Sequence, residues 1–225
     1  SSKVGYVFKD MPYQSIGFQN AFSNHNQESY FGLNQYNIKQ QSYYSNLIFN
    51  SIIDNTRNKF ATGLNFTYDK YSEFVNLSDV SRIDNSVGAF FEYTFDDSDK
   101  FSYILGGRFD YHNRLGAFFT PRLHVRYNPW EKSVFRFSAG RGKRAANIYA
   151  ENQQLFGSSR TFSVLDTDGK TYGLNPEIAW NYGISFTQNF KLFGKNADST
   201  VDFYRTDFQN QAIVDVMNSP QQVLF

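Results

Sequence analysis

Residues 101–112, FSYILGGRFDYH, admit few folds. In an extended chain they set Phe101, Tyr103, Leu105, Gly107, Phe109 and Tyr111 on one face and Ser102, Arg108, Asp110 and His112 on the other. A strand with aromatics on one side and charge on the other divides two different solvents. The same alternation recurs in residues 59–69, where Phe60, Thr62, Leu64, Phe66 and Tyr68 oppose Lys59, Asn65 and Asp69. It recurs again in residues 86–95, 122–127 and 180–190, is poorer in 43–53, and breaks in 201–208, where Arg205 falls on the apolar side. The question is whether the aromatic face meets a protein core or lipid.

Composition bears on that choice. Of 225 residues, 25 are Phe and 16 are Tyr, and aromatics make up 19% of the chain, yet the mean hydropathy is −0.54. A chain that is aromatic and polar at once suits a wall with one greasy and one wet face. A formal net charge of +1 gives no electrostatic case for nucleic acid. The absence of cysteine removes disulfides, thiolate metal sites and a cysteine nucleophile. No apolar run is long enough for a helical membrane span. The opening SSKVGYVFKDMP lacks the basic start and apolar centre of a secretion signal, so any such signal is expected outside these residues.

Turn residues divide the chain into about ten strands, several of them the roughly 9 to 11 residues that cross a bilayer at a tilt. Short connections carrying Asn, Asp, Pro or Gly are expected at 10–12, 54–57, 96–100, 128–132 and 191–197. The intervening connections are longer: 25–41, 72–84, 113–117 and above all 142–178. Short turns at one rim and long loops at the other suit an outer-membrane barrel, with the long loops outside the cell. Alternation by itself also fits a soluble all-β adhesion or lectin domain; strand length, aromatics near strand ends and the charged opposite face favour lipid.

Four elements in order sharpen this reading. FFTPRLHVRYNP (residues 118–129) is followed by a strand ending in Gly140, Gly142, Arg144 and Ala145 with Glu151 downstream. Leu174, Pro176 and Glu177 then open a strand, and Tyr204 and Asp207 lie in the one after it. In order and spacing the chain resembles the C-terminal part of the barrel of TonB-dependent outer-membrane receptors. Ala146, Gly183 and Ser185 depart from the family's usual residues, and AWNYGIS resembles receptors of the Bacteroidetes type. The resemblance implies an all-β antiparallel transmembrane barrel in the outer membrane of a Gram-negative cell, seen here as a partial barrel. A full receptor of this kind has about 22 strands around a plug, so residues 1–225 are expected to be a fragment of the barrel domain, without the plug domain and TonB box.

The implied activity is active uptake of a bulky ligand: an iron–siderophore, haem, cobalamin or another metal chelate, with a glycan also open. The implied partners are the TonB energy-transducing complex, reached through the plug, the lipid bilayer and the small-molecule ligand; neither a cofactor nor a structural metal is implied. Ligand contacts are expected on the long loops, at Tyr30, Phe31 and Tyr36 in the first and Tyr149, Gln153, Phe156 and Arg160 in the largest, because aromatic faces and amides close well around bulky cargo. Arg108, Asp110, His112, Arg122, His124, Arg126, Arg144 and Glu151 are expected to line the lumen or meet the plug.

Each candidate has a plainer reading. Gly140, Gly142 and Arg144 lack the lysine and hydroxyl of a phosphate loop and instead mark the strand's exit from the wall. DTDG at residues 166–169 opens like a calcium loop but lacks the remaining ligands, which leaves an ordinary turn. Asp110 and His112, with Arg122 and His124 near them, allow a small outer-membrane hydrolase, but no nucleophile motif accompanies them and a hydrogen-bonded wall network is the simpler outcome. Arg141, Lys143 and Arg144 form a basic cluster able to attract an anionic chelate, or else are merely solvated.

Overall fold

A computed structural model describes residues 1–97, 99–164 and 170–225; the DTDG turn falls outside the described residues. Ten strands form one antiparallel meander, each paired with its neighbours in sequence. They are β1 (Ser2–Phe8), β2 (Met11–Phe31), β3 (Asn34–Ile53), β4 (Asn55–Val75), β6 (Arg82–Asp96), β7 (Phe101–His112), β8 (Gly116–Tyr127), β9 (Ser133–Arg144), β11 (Glu177–Leu192) and β12 (Lys195–Asn210). The two-residue β5 (Ser78–Asp79) adds to the end of β4. The wall is a partial barrel.

Register follows the alternation. Phe18, Leu47, Leu64, Ala89, Phe109, Phe119 and Phe137 all lie on the outer face. In β4 the outward apolar row runs from Phe60 to Tyr68, about 26 Å along the strand and about 20 Å once tilted, close to the height of a barrel's apolar band. No helix among the described residues is long and apolar enough to cross a membrane. Crossing is left to the strands.

The short turns are built as their residues require. At Phe193–Gly194 both residues have positive φ, 50° and 79°, and Leu192 pairs directly with Lys195, the geometry of a two-residue hairpin turn that matches strand twist. At the opposite rim the structure corrects two expected connections. Residues 25–41 are not a loop: β2 and β3 stay paired up to Phe31 and Asn34, leaving a two-residue turn. Residues 72–84 are mostly strand as well. Beyond Phe22 and Tyr43 the outward residues become Asn24, Asn26 and Glu28 on β2 and Gln41, Lys39 and Asn37 on β3. The outer face turns polar there because this part of the wall stands above lipid, in water, while the inner face keeps Phe31, Tyr36 and Ile38 against the folded segment described below. Strands of 20 and 21 residues result.

The long connection between β9 and β11 is confirmed. It holds α1 (Ile148–Glu151), a 3-10 turn (Gln153–Gly157) and β10 (Thr161–Ser163), and it folds onto the inner face of the tall strands. Residues after β12 join it, with β13 (Gln222–Leu224) pairing in parallel with β10. The buried apolar side chains of the molecule collect here, around Tyr36, Ile38 and Phe156 on one side and Ile148, Val223 and Phe225 on the other.

Candidate functional site

The rim cluster begins with a register fact. Tyr71 of β4 pairs with Arg82 of β6 and Asp69 with Asp84, so alternate residues of the two strands share the inner face and bring Glu73, Arg82 and Asp84 together. Glu73 is fully buried. Arg82 Nη1 donates to Glu73 Oε2 at 2.7 Å and Arg82 Nε to Asp84 Oδ2 at 3.1 Å. Tyr36 Oη donates to Glu73 Oε1 at 2.9 Å. The guanidinium lies 3.9 Å from the centre of the Tyr71 ring. Arg114 Nε closes on Asp84 at 2.8 Å.

The inward-folded segment attaches to this cluster. Arg82 also donates to Asn147 Oδ1 and to Tyr172 Oη, and Tyr172 Oη in turn donates to Glu73. Arg114 Nη1 donates to the Lys170 carbonyl at 2.7 Å. Burial, together with the Glu73 carboxylate, pushes the Tyr172 phenol well above its usual range, with Arg82 opposing. Burial also raises Tyr149. From the tall hairpin, Asn34 Nδ2 donates to the carbonyls of Phe156 and Ser158 at 2.9 and 2.7 Å, and Gln27 Nε2 donates to Gln153 Oε1 at 3.1 Å.

These contacts revise the expected ligand residues. Tyr36 and Phe156 are each 0% exposed. Their rings sit 5.5 Å apart, and Phe31 stacks on Phe156 at 5.7 Å. Tyr36, Phe31 and Phe156 therefore join wall to segment and are not open contacts, because aromatic surfaces from two parts of the chain bury one another. Tyr149 packs edge-on against Phe162 and Tyr172. Arg160 Nη1 donates to the Val216 carbonyl at 2.6 Å. Tyr30 is exposed on the outer face of the hairpin tip. The mobile-loop location expected for Tyr30, Phe31 and Tyr36 is thus replaced by paired strand.

The sequence landmarks converge on one residue. Arg144 Nη1 and Nη2 donate to the two Glu151 oxygens at 2.9 and 3.1 Å, and Nε to Glu177 Oε2 at 2.6 Å. Glu177 Oε1 accepts from the Ala212 N–H at 3.1 Å. One arginine so ties the end of β9, α1, the start of β11 and the chain after β12. The neighbouring cations do not act with it: Arg141 and Lys143 donate to the Phe119 and Leu115 carbonyls at 3.4 and 2.7 Å, where β8 and β9 are no longer paired. Sequence proximity had grouped three cations that the fold separates.

Lower on the inner face, Arg108 donates to both oxygens of Asp110, which is 3% exposed. His112 Nδ1 accepts the Arg114 and Leu115 N–H groups at 3.1 and 3.3 Å and so caps the β7–β8 turn. Arg122 pairs with Glu92. His124 and Arg126 line a cavity of about 310 Å³ towards the short-turn rim. Asp110 and His112, the candidate catalytic pair, are each engaged elsewhere. Glu73, Arg82, Asp84, Arg114, Asn147 and Tyr172 are the residues that the sequence reading missed. An alternation Tyr71, Glu73, Val75 continuing past Asp69 is the signal that marks the first of them.

Comparison with known proteins gives the same architecture. The model of the family described as "TonB dependent receptor-like, beta-barrel" matches residues 3–224. The siderophore receptor PirA from Pseudomonas aeruginosa superposes with a TM-score of 0.61 at 14% identity, over 94% of this chain and 43% of that one. The P. aeruginosa receptor FpvA, solved with pyoverdine and iron, gives 0.66 at 12% identity, over 95% and 33%. The copper transporter OprC gives 0.61 at 12%, over 93% and 37%. The chain therefore spans less than half the length of these solved structures. Among curated proteins none matches. With a family match across almost its whole length and the open meander that the family's barrels contain, this chain belongs to the TonB-dependent receptor-like β-barrel family.

Proposed function

We propose that these residues form part of the wall of an outer-membrane active-transport receptor, driven by the TonB energy-transducing complex, that takes up a bulky ligand such as an iron–siderophore, haem, cobalamin or another metal chelate. The family's place is the outer membrane of Gram-negative bacteria. The observation that carries the reading is a wall with unlike faces, apolar outward and charged inward, covered at one rim by a folded segment of its own chain. Such a segment over a lumen is where captured cargo meets protein first. The siderophore and copper proteins that share the fold support a chelate as cargo.

Ligand contact falls to the solvent side of the segment, where Gln153 and Arg160 keep part of their surface exposed. Tyr36 and Phe156 become available only if the segment lifts. The hydrolase alternative loses its support at Asp110, whose two oxygens are held by Arg108. The soluble-domain alternative leaves the outward row of Phe18, Leu64, Phe91 and Phe109 uncovered.

The test is uptake of labelled ferric siderophore, haem and cobalamin by cells carrying the full gene, with and without a functional TonB complex. Accumulation of one of these should vanish when either the gene or the complex is lost. Uptake that persists without the TonB complex, or no effect for any chelate, would overturn the proposal.

A further inference from the structure

Between β8 and β9 the wall is not closed along its whole height. Arg122 and Gly140 are the last pair of that ladder towards the long-loop rim. Beyond them residues 116–121 of β8 pair only with β7, and residues 141–144 of β9 pair only with β11. Pro121 stands at the fork, and a proline has no N–H with which to extend a ladder. Two cations take the place of the missing backbone bonds. Lys143 Nζ donates to the Leu115 carbonyl at 2.7 Å and lies 5.1 Å from the centre of the Phe118 ring, and Arg141 Nη1 reaches the Phe119 carbonyl at 3.4 Å.

Arg141 is the less satisfied of the two. A guanidinium carries five N–H donors. Here Nη1 and Nη2 each make one long bond of 3.4 Å, the second to Gln209 Oε1, and Nε is buried with no partner. Among the described residues neither Arg141 nor Lys143 makes an ion pair, whereas Arg144 holds Glu151 and Glu177, and Arg205 holds Asp207. Two neighbouring positive charges without a carboxylate make this part of the wall complementary to an anion. A fork of N–H groups beside an ammonium suits a phosphate.

Position selects the source of that phosphate. Arg141 follows Phe135 and Phe137 in the outward row of β9, and its partner on β11 is Trp180. Trp180 and Tyr182 stack at 6.1 Å on the same outer face, an aromatic pair of the kind that marks the meeting of lipid and water. Arg141 and Lys143 are eight and ten residues beyond the start of β9, while Tyr111, ten residues beyond the start of β7, ends the outward aromatic row there. The Arg141 guanidinium therefore stands on the outside of the wall at the upper edge of the lipid band, where cargo passing through the barrel does not meet it. Along the same edge Phe22, Tyr43, Tyr68 and Tyr111 carry no charge at neutral pH. We propose that the opening above Pro121 seats the phosphate of an outer-leaflet lipid headgroup, with Arg141 as the principal donor and Lys143 as the second. The acyl chains then lie along Phe119, Phe137 and Ile184, which are exposed below it. The site requires the wall to stand in a bilayer and is independent of what the receptor transports.

The experiment uses the full-length receptor in a neutral detergent. The probes are monophosphoryl lipid A and the same lipid stripped of its phosphate, with retention read by native mass spectrometry. The phosphorylated lipid should stay bound and the dephosphorylated one should be held at least tenfold more weakly, a comparison that needs no variant. Arg141→Gln with Lys143→Gln should lower retention of the phosphorylated lipid at least tenfold while the heat-modifiable band stays in place. Arg205→Gln, whose guanidinium is already held by Asp207, should leave retention within twofold. Equal retention of the two lipids, retention of neither, or unchanged retention in the folded double variant would overturn the site. Thermal stabilisation by inorganic phosphate where the lipid gives none would mark a free-anion site, and that outcome also overturns it.

Discussion

Arg82 holds more of the rim together than any other single side chain. It touches Glu73 and Asp84 from the wall and Asn147 and Tyr172 from the segment, in a place where Glu73 has no access to water. Removing one partner of a buried pair leaves the other charge stranded and costs about 3–5 kcal/mol. Arg82→Met is therefore expected to raise hydrogen exchange in residues 148–157 by a factor of at least a hundred while the β7–β8 ladder keeps its protection. Unchanged exchange at 148–157 would show that the apolar contacts alone hold the segment. Tyr172 adds a pH dependence. Its folded pKa lies above the unfolded value of 10.0, so below pH 10 its contribution is whole, and above that the lifted state gains stability by ionising first. The segment should begin to release above about pH 10, as tyrosinate absorbance and exchange rate will register. In Tyr172→Phe the alkaline release should be shallower.

Elements show why the sequence was readable where it was. β7 runs over Phe101–His112, as the alternation requires, because each of its faces meets one solvent along its whole length. β2, β3 and β4 meet lipid and then water on the same face, so the contrast that marks a strand fades at Asn24 and Gln41 while backbone pairing continues. Periodicity detects a difference between faces, not the ladder itself. The rim cluster was missed for the same reason: Glu73 and Arg82 sit in the stretch where contrast is lost. Arg144 with Glu151 and Glu177 was legible because three landmarks carried it, although nothing in the sequence announced that one guanidinium would take both carboxylates. Within β4, Gly63 marks a close approach, since an added Cβ would lie 2.1 Å from the Leu47 carbonyl and 2.7 Å from the Phe90 ring. Gly63→Ala should destabilise the barrel by about 1–3 kcal/mol, seen as a lower temperature for loss of the compact, heat-modifiable band on gels. Gly5→Ala, whose nearest atom is 3.7 Å away, should leave that temperature unchanged.

At the scale of the molecule, the outer face changes solvent partway up its tall side. Single-cysteine labelling on intact cells makes that boundary visible. Lys39→Cys should react with a membrane-impermeant maleimide and Leu47→Cys should not, although both side chains lie on the outer face of β3. Equal reactivity would misplace the bilayer. The two arms of the wall also differ in height. β3 continues nine residues past Tyr43 to Asn34, about 30 Å of strand, whereas β7 ends one residue beyond Tyr111. An entrance with a parapet on one flank and a low sill on the other has a bearing. On the transport proposed above, a large body approaching from the β2–β4 flank would strike the parapet, while one coming over the β7–β8 turn would meet the sill, so the length of three strands would bias the direction of delivery before any side chain met the cargo.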